Sequence, residues 1–285
     1  MPYQREISRD HKACILFLLD QSYSMVEPLG GSANRKCDEL ANAVNSWLYN
    51  MSIRASGDEG IRDYMDVGLI GYRTDQQANP IIQPAVVGPL AGQQLVSVTD
   101  IGNCPARIDS VVQRIQDEET GEMIEFPSES PIWIDPVAEG STPMCHVLYQ
   151  AYQILTQWIG QHPESFPPIV IHISDGESQD GDPIPYADAV RNLATNDGNV
   201  LLFNCHLSMM QAQQALFPSM PDGLPDELAK VLFNMSSVLP EPFYRNAVAE
   251  GIQLEPGARG MAFNADMVVL VKFLDMGTRA AVQLR

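Results

Sequence analysis

The chain has 285 residues, 45% of them apolar, an ordinary fraction for a globular core and enough for one large α/β domain or two small ones. Lys and Arg total 17 against 36 Asp and Glu, a formal charge of -19, so the surface repels phosphate backbones and anionic headgroups, which argues against nucleic-acid and membrane partners. The longest apolar run, Ala13 to Leu19, is far short of the roughly 20 residues of a spanning helix. No secretory leader opens the chain, and five scattered cysteines (Cys14, Cys37, Cys104, Cys145, Cys205), never spaced C-x-x-C, speak against a disulfide framework or a zinc knuckle, so a cytoplasmic protein is expected.

In chain order, Ala13 to Leu19 followed by Asp20 reads as a strand covered on both faces, the first central strand of a parallel sheet. Leu40, Ala43, Val44, Trp47, Leu48 and Met51 recur at three- and four-residue steps, the pattern of a helix with one buried face. A strand follows at Val67 to Tyr72, a helix from about Met144 to Ile159, a strand at Pro168 to Asp175, a helix near Tyr186 to Ala194 and a strand at Asn199 to Leu207. This alternation predicts an α/β fold, a doubly wound and mostly parallel sheet with right-handed crossovers. We expect a single domain over 1–285, an insertion at 76–140, and a C-terminal segment at 218–285 made of short helices, the most regular at Ala265 to Asp275 with Gly277 as its C-cap. The insertion is long for an α/β connection. Within it, Ile108 to Gln116 and Met123 to Phe126 flank Asp117-Glu-Glu-Thr-Gly121 and read as a β-hairpin, and its departure from the carboxyl end of a parallel strand places it on the face where such sheets bind ligands.

The chemistry gathers at the ends of the central strands. Asp20-Gln-Ser22-Tyr-Ser24 follows the first strand directly and delivers one carboxylate and two hydroxyls. Gly140-Ser-Thr142-Pro-Met sets a further hydroxyl just before a helix, and Ile171-His-Ile-Ser-Asp175-Gly ends another central strand in a second carboxylate. Two acids and three hydroxyls suit a small hard ion that takes six oxygens at about 2.1 Å, Mg²⁺ with Mn²⁺ as a substitute; with neither imidazole nor thiolate in the set, zinc is disfavoured.

From Lys12 to Leu207 the sequence resembles a von Willebrand factor A (VWA) domain with a complete metal-ion-dependent adhesion site, of the intracellular bacterial, tellurite-resistance-associated type. The D-x-S-x-S motif, a later Thr and an Asp at the tip of a later strand match Asp20, Ser22, Ser24, Thr142 and Asp175. The resemblance implies a Rossmann-like fold and Mg²⁺ held by the hydroxyls directly and by the aspartates directly or through water. It also implies one coordination position left open for a carboxylate from a partner protein. It further implies a non-catalytic adaptor in a signalling or stress-response complex with a protein kinase, a phosphatase or an AAA+ ATPase, and coupling of ligation to the last helix. The sequence departs from the family at Tyr23, where Gly is frequent, and in the long insertion. Tyr23 is expected at the rim of the site as a partner contact, with Trp133 of the insertion as an aromatic anchor and Glu177 beside the metal.

Simpler readings compete for each signal. Ser22 or Ser24 could cap a helix, and Glu177, Asp180 and Asp182 could form a solvated loop. His172 and His206 lie in apolar strands and read as core, while Cys145 and His146 open a helix. A metal-dependent hydrolase or phosphatase drawing extra carboxylates from Glu177 and Asp182 is the rival in a different class, and a subunit of an AAA+ machine is a third. Motifs for nucleotide binding, zinc proteolysis and serine hydrolysis are absent.

Overall fold

The computed structural model describes residues 2–30, 33–58, 60–116, 123–208, 214–225, 227–249, 252–266 and 269–274, with backbone only over 111–116 and 123–127 and at 246, 248 and 249. The first half of the chain forms β1 (Ala13–Asp20), α1 (Lys36–Ala55), β2 (Met65–Thr74), β3 (Pro80–Pro84), β4 (Val96–Ser97), α2 (Val98–Asn103), β5 (Arg107–Gln116) and β6 (Met123–Ile132). The second half forms α3 (Met144–Gln161), β7 (Ile169–Ser174), α4 (Ile184–Asn192), β8 (Leu201–Leu207), β9 (Ala215–Leu216), α5 (Glu227–Met235), α6 (Glu241–Ala249) and β10 (Met261–Ala265). None of the described helices is long and apolar enough to cross a membrane.

All eight residues of β1 are buried, because successive side chains feed two different cores. Ala13, Ile15, Phe17 and Leu19 pack into a core shared with Val44, Trp47, Leu48 and Met51 of α1 and with Phe243 of α6. Cys14, Leu16 and Leu18 pack into a second core closed by Leu148, Ala151 and Leu155 of α3, Ala187 and Val190 of α4, and Leu232 and Phe233 of α5. The uninterrupted apolar run is thus the signature of a sheet wound on both faces.

The sheet has the order β9-β10-β8-β7-β1-β2-β3, with β4 also paired to β2. The five inner strands β10, β8, β7, β1 and β2 run parallel, and β3, β4 and β9 are antiparallel additions at the margins. From β1 the chain steps one way to β2 and later the other way to β7, so the strand order reverses between β1 and β7. In open α/β sheets that reversal opens a crevice at the carboxyl ends of the two strands. Here those ends are Asp20 and Ser174.

Two expectations need correction. The C-terminal segment is not helical throughout: Met261–Ala265 is a fifth parallel strand paired to β8, so Ala265 ends a strand rather than opening a helix. Residues 269–274 are helical and bury Leu270, Phe273 and Leu274, while Asp275 and Gly277 lie outside the described residues. The insertion, in turn, does not sit on one face. β3 pairs along β2 from Thr74 to Ile70, whereas β4 pairs at the other end of β2, with Asp66 and Val67. β5 and β6 form the expected hairpin as a separate two-stranded ribbon, its turn at Asp117–Gly121 outside the described residues.

Candidate metal centre

Asp20 ends β1 with its side chain buried, 1% exposed. Its Oδ1 accepts the Ser22 backbone N–H at 2.8 Å, which folds the chain back at once and presents Ser22 and Ser24 on the same side. Its Oδ2 accepts the hydroxyl of Ser174, the last residue of β7, at 2.7 Å. A short 3-10 turn at Tyr23–Val26 follows. Ser22 is its N-cap position but makes no side-chain cap bond, and α1 starts after Arg35, so neither serine is spent as a helix cap.

The serine hydroxyls face the second carboxylate. Ser24 Oγ donates to Asp175 Oδ1 at 2.7 Å, and Ser22 Oγ lies 3.0 Å from Ser24 Oγ. With the Ser24 proton committed to Asp175, the Ser22 hydroxyl is the donor between the serines. One unbroken line of oxygens therefore runs from Ser22 through Ser24 to Asp175, with Asp20 joined to it through Ser22. Neighbouring corners of an octahedron with 2.1 Å bonds are about 3.0 Å apart. The spacings of 3.0 and 2.7 Å are ordinary O–H···O hydrogen-bond lengths that such an ion could also span, so the fit to Mg²⁺ or Mn²⁺ rests on the chemistry of the donor set.

Thr142 arrives from the return leg of the insertion and is 2% exposed. Backbone bonds fix that leg: the Tyr23 N–H donates to Gly140 O at 2.9 Å, the Glu139 N–H to Gln21 O at 2.7 Å, and the Gln179 N–H to Thr142 O at 3.0 Å. Gly140 takes φ +68°, and a Cβ there would lie 2.1 Å from the Thr74 carbonyl oxygen, so only glycine lets the leg pass this close to β2. Thr142 Oγ1 hangs over Gly176, 3.8 Å from where that residue's Cβ would be. Four of the five expected residues thus meet through side-chain or side-chain-to-backbone hydrogen bonds, and Thr142 lies beside Gly176, the residue after Asp175.

The electrostatics of the pair are strained. Burial, and then the charge of Asp175, raise Asp20 from the usual carboxylate range to about 6, against the pull of the Ser174 and Ser22 hydrogen bonds. A cation beside it relieves that strain. Lys36, the first residue of α1, supplies one charge: its Nζ donates to Asp175 Oδ2 at 2.8 Å and to Glu27 Oε2 at 2.9 Å. Its side chain is only 4% exposed and that of Asp175 0%. Sequence reasoning passed over Lys36. The available signal was a charge at the head of the apolar stripe that continues through Leu40, Val44 and Leu48.

Among the other candidates, Tyr23, between Ser22 and Ser24, is 67% exposed, and Glu177 is exposed. Trp133 is a correction: it is 2% exposed, its ring sits in the first core, and its Nε1–H donates to Ile101 O at 2.9 Å. An aromatic between two isoleucines anchors the insertion to the domain rather than to a partner. The acidic loop is also engaged. Asp180 caps α3 by accepting the Cys145 and His146 backbone N–H groups at 2.9 and 3.0 Å, and Asp182 accepts that of Ile184 at the start of α4. Burial raises the Cys145 thiol to about 11, so it is no nucleophile at neutral pH. Beneath the site the Tyr72 hydroxyl meets His172 Nε2 at 2.7 Å, His172 Nδ1 meets Asn204 Oδ1 at 2.9 Å, and Asn204 Nδ2 donates to Ser236 Oγ at 2.9 Å. These are satisfied core groups. Among the described residues no three His, Cys, Asp or Glu side chains stand together as a metal cluster, so the candidate site rests on two carboxylates and hydroxyls.

No protein-family model matches the chain, and no curated protein matches it. Among solved structures, the fold is similar to that of the PilB minor pilin from Streptococcus sanguinis, with a TM-score of 0.45 and 10% sequence identity. The match covers 100% of this chain, which spans 64% of the pilin's length.

Proposed function

We propose that this chain is a VWA-type interaction module that holds a divalent cation, Mg²⁺ or Mn²⁺, through Asp20, Ser22, Ser24, Thr142 and Asp175. In this reading it captures a carboxylate-bearing partner protein at the same place. The supporting observation is the hydrogen-bonded line of oxygens at the strand-order reversal, with Ser24 Oγ 3.0 Å from Ser22 Oγ and 2.7 Å from Asp175 Oδ1. When bound, the ion supplies a positive centre that accepts an anionic oxygen from outside. The chain's own residues do the rest. Ser174 and the Ser22 N–H orient Asp20, the return leg over Gln21 and Tyr23 seats Thr142, and Tyr23 offers a ring beside the opening. Placed in a cell, such a module fits an adaptor in a signalling or stress-response assembly, its partner a kinase, phosphatase or AAA+ ATPase with an exposed acidic residue.

Calorimetric titration of Mg²⁺ tests the reading. At an effective dielectric near 20, a divalent ion and a carboxylate about 4 Å apart interact by about 8 kcal/mol before desolvation, so an aspartate matters more than a serine. Asp20→Ala and Asp175→Ala are expected to abolish binding and Ser22→Ala to weaken it; unchanged affinity in both aspartate variants refutes the site. A partner retained in Mg²⁺ and released by EDTA, and lost with Asp20→Ala, supports the capture role.

A further inference from the structure

Lys36 is placed where a helix has no use for it. It opens α1, and a cation there faces the positive end of the helix dipole; the first turn already carries Asp38 and Glu39, the charges that end favours. Its ammonium turns back instead, past the backbone bond from the Lys36 N–H to Glu27 O, and lies between Glu27 and Asp175. Both oxygens of Asp175 are thereby engaged, Oδ1 by Ser24 and Oδ2 by Lys36. A buried lysine is costly unless it is paired, and this one is paired to a residue of the candidate metal centre.

Charge counting gives the consequence. Asp20 and Asp175 alone would balance a divalent ion to zero, and a third carboxylate would then bring net negative charge into a buried site. Lys36 adds one positive charge, and Glu27, 2.9 Å from the same ammonium and 42% exposed, offsets part of it, so the ammonium is the charge with which a bound divalent ion would compete at Asp175. We infer that Lys36 is a tethered counter-ion of the metal centre, a positioning residue that competes with the divalent ion for Asp175. It thereby holds affinity for the bare ion down. The inference rests on the metal-site reading above.

The test is Mg²⁺ titration by calorimetry on the intact chain, with thermal melting in EDTA and in Mg²⁺ alongside. Lys36→Met removes the competitor and is expected to bind Mg²⁺ about tenfold more tightly or better. Its melting temperature should fall in EDTA, because Asp175 is left buried with the Ser24 hydrogen bond but no counter-charge, and recover in Mg²⁺. Lys36→Arg keeps the charge and should stay within about threefold of wild type. Glu27→Gln removes the other negative charge beside the ammonium while keeping an acceptor oxygen, at a side chain that is 42% exposed, so folding is not at risk. It throws the whole positive charge onto the site, and Mg²⁺ affinity should drop by about threefold or more. Opposite shifts in Lys36→Met and Glu27→Gln support the inference, because a purely structural lysine would not produce them. If Lys36→Met does not fold without metal, the Glu27→Gln shift decides alone. Equal affinities in wild type, Lys36→Met and Glu27→Gln overturn the inference and leave the metal site intact. Absence of binding in wild type with binding in Lys36→Met upholds Lys36 as the resident cation while overturning metal binding by the native chain. Absence of binding in every folded variant overturns both.

Discussion

Asn45 is the lock of the insertion, and its removal can be worked through from the geometry. It lies on the buried face of α1, 3% exposed, and reads the returning chain as a neighbouring strand would. Its Oδ1 accepts the Trp133 N–H at 2.9 Å and the Ile134 N–H at 3.1 Å, and its Nδ2 donates to Ile134 O at 3.0 Å. Asn45→Ala strands three buried backbone groups at once. Each unpaired group costs about 1–3 kcal/mol, and water entering the shortened side chain's space recovers part of it, so about 3 kcal/mol is expected. The measurement is urea denaturation at pH 7 beside Asn42→Ala, an exposed position on the same helix that should stay within about 0.5 kcal/mol of wild type. Because residues 135–141 run from this lock to Thr142, Mg²⁺ affinity should weaken in Asn45→Ala as well. A loss below about 1 kcal/mol, with metal affinity unchanged, refutes the claim that this triad of bonds holds the insertion.

Two further outcomes follow from the structure. Gly140→Ala places a methyl 2.1 Å from the Thr74 carbonyl oxygen at φ +68°, whereas Gly92→Ala meets open space at φ +81°. Denaturation of both should show Gly92→Ala costing about 1–2 kcal/mol for the left-handed backbone and Gly140→Ala clearly more, with Mg²⁺ affinity reduced only in the latter; equal costs sink the close-approach argument. Burial pushes His172 down to about 4, so the folded protein keeps it neutral while the unfolded chain protonates near 6.5. That contribution is present above pH 6.5 and is lost as pH falls through 4. In EDTA, wild type should therefore lose about 2 kcal/mol more than His172→Gln between pH 7 and pH 5, a comparison in which the titration of Asp20 is common to both; parallel curves refute it.

The parts of this molecule that the sequence announced are those whose signal is local. β1 is a run of seven apolar residues because both its faces are covered, and α1 and α3 repeat at helical spacing because one face of each is. The residues of the candidate site stood out because each lies at a strand end or just ahead of a helix, in the order the resemblance implies. What escaped depends on neighbours distant in the chain. β10 is five residues long, and its strand character comes from pairing with β8, so the alanines around it read as helix. Lys36 and Asn45 are polar residues on an apolar helical stripe, and their reasons lie in Asp175 and in Trp133–Ile134, each more than eighty residues away. Trp133 looked like an anchor for a partner because an insertion is expected to be exposed; the isoleucines flanking it were the sign of burial.

The margins of the sheet bear on how anything else attaches. On one side the terminal strand is β3, begun and ended by Pro80 and Pro84, which have no N–H to offer. On the other it is β9, two residues long. Among the described residues neither flank is a long, regular template for another copy's backbone, so growth of the sheet from molecule to molecule through them is disfavoured. Substituting both prolines would remove that safeguard on the β3 side without touching the candidate site, and the change would show first as self-association on storage.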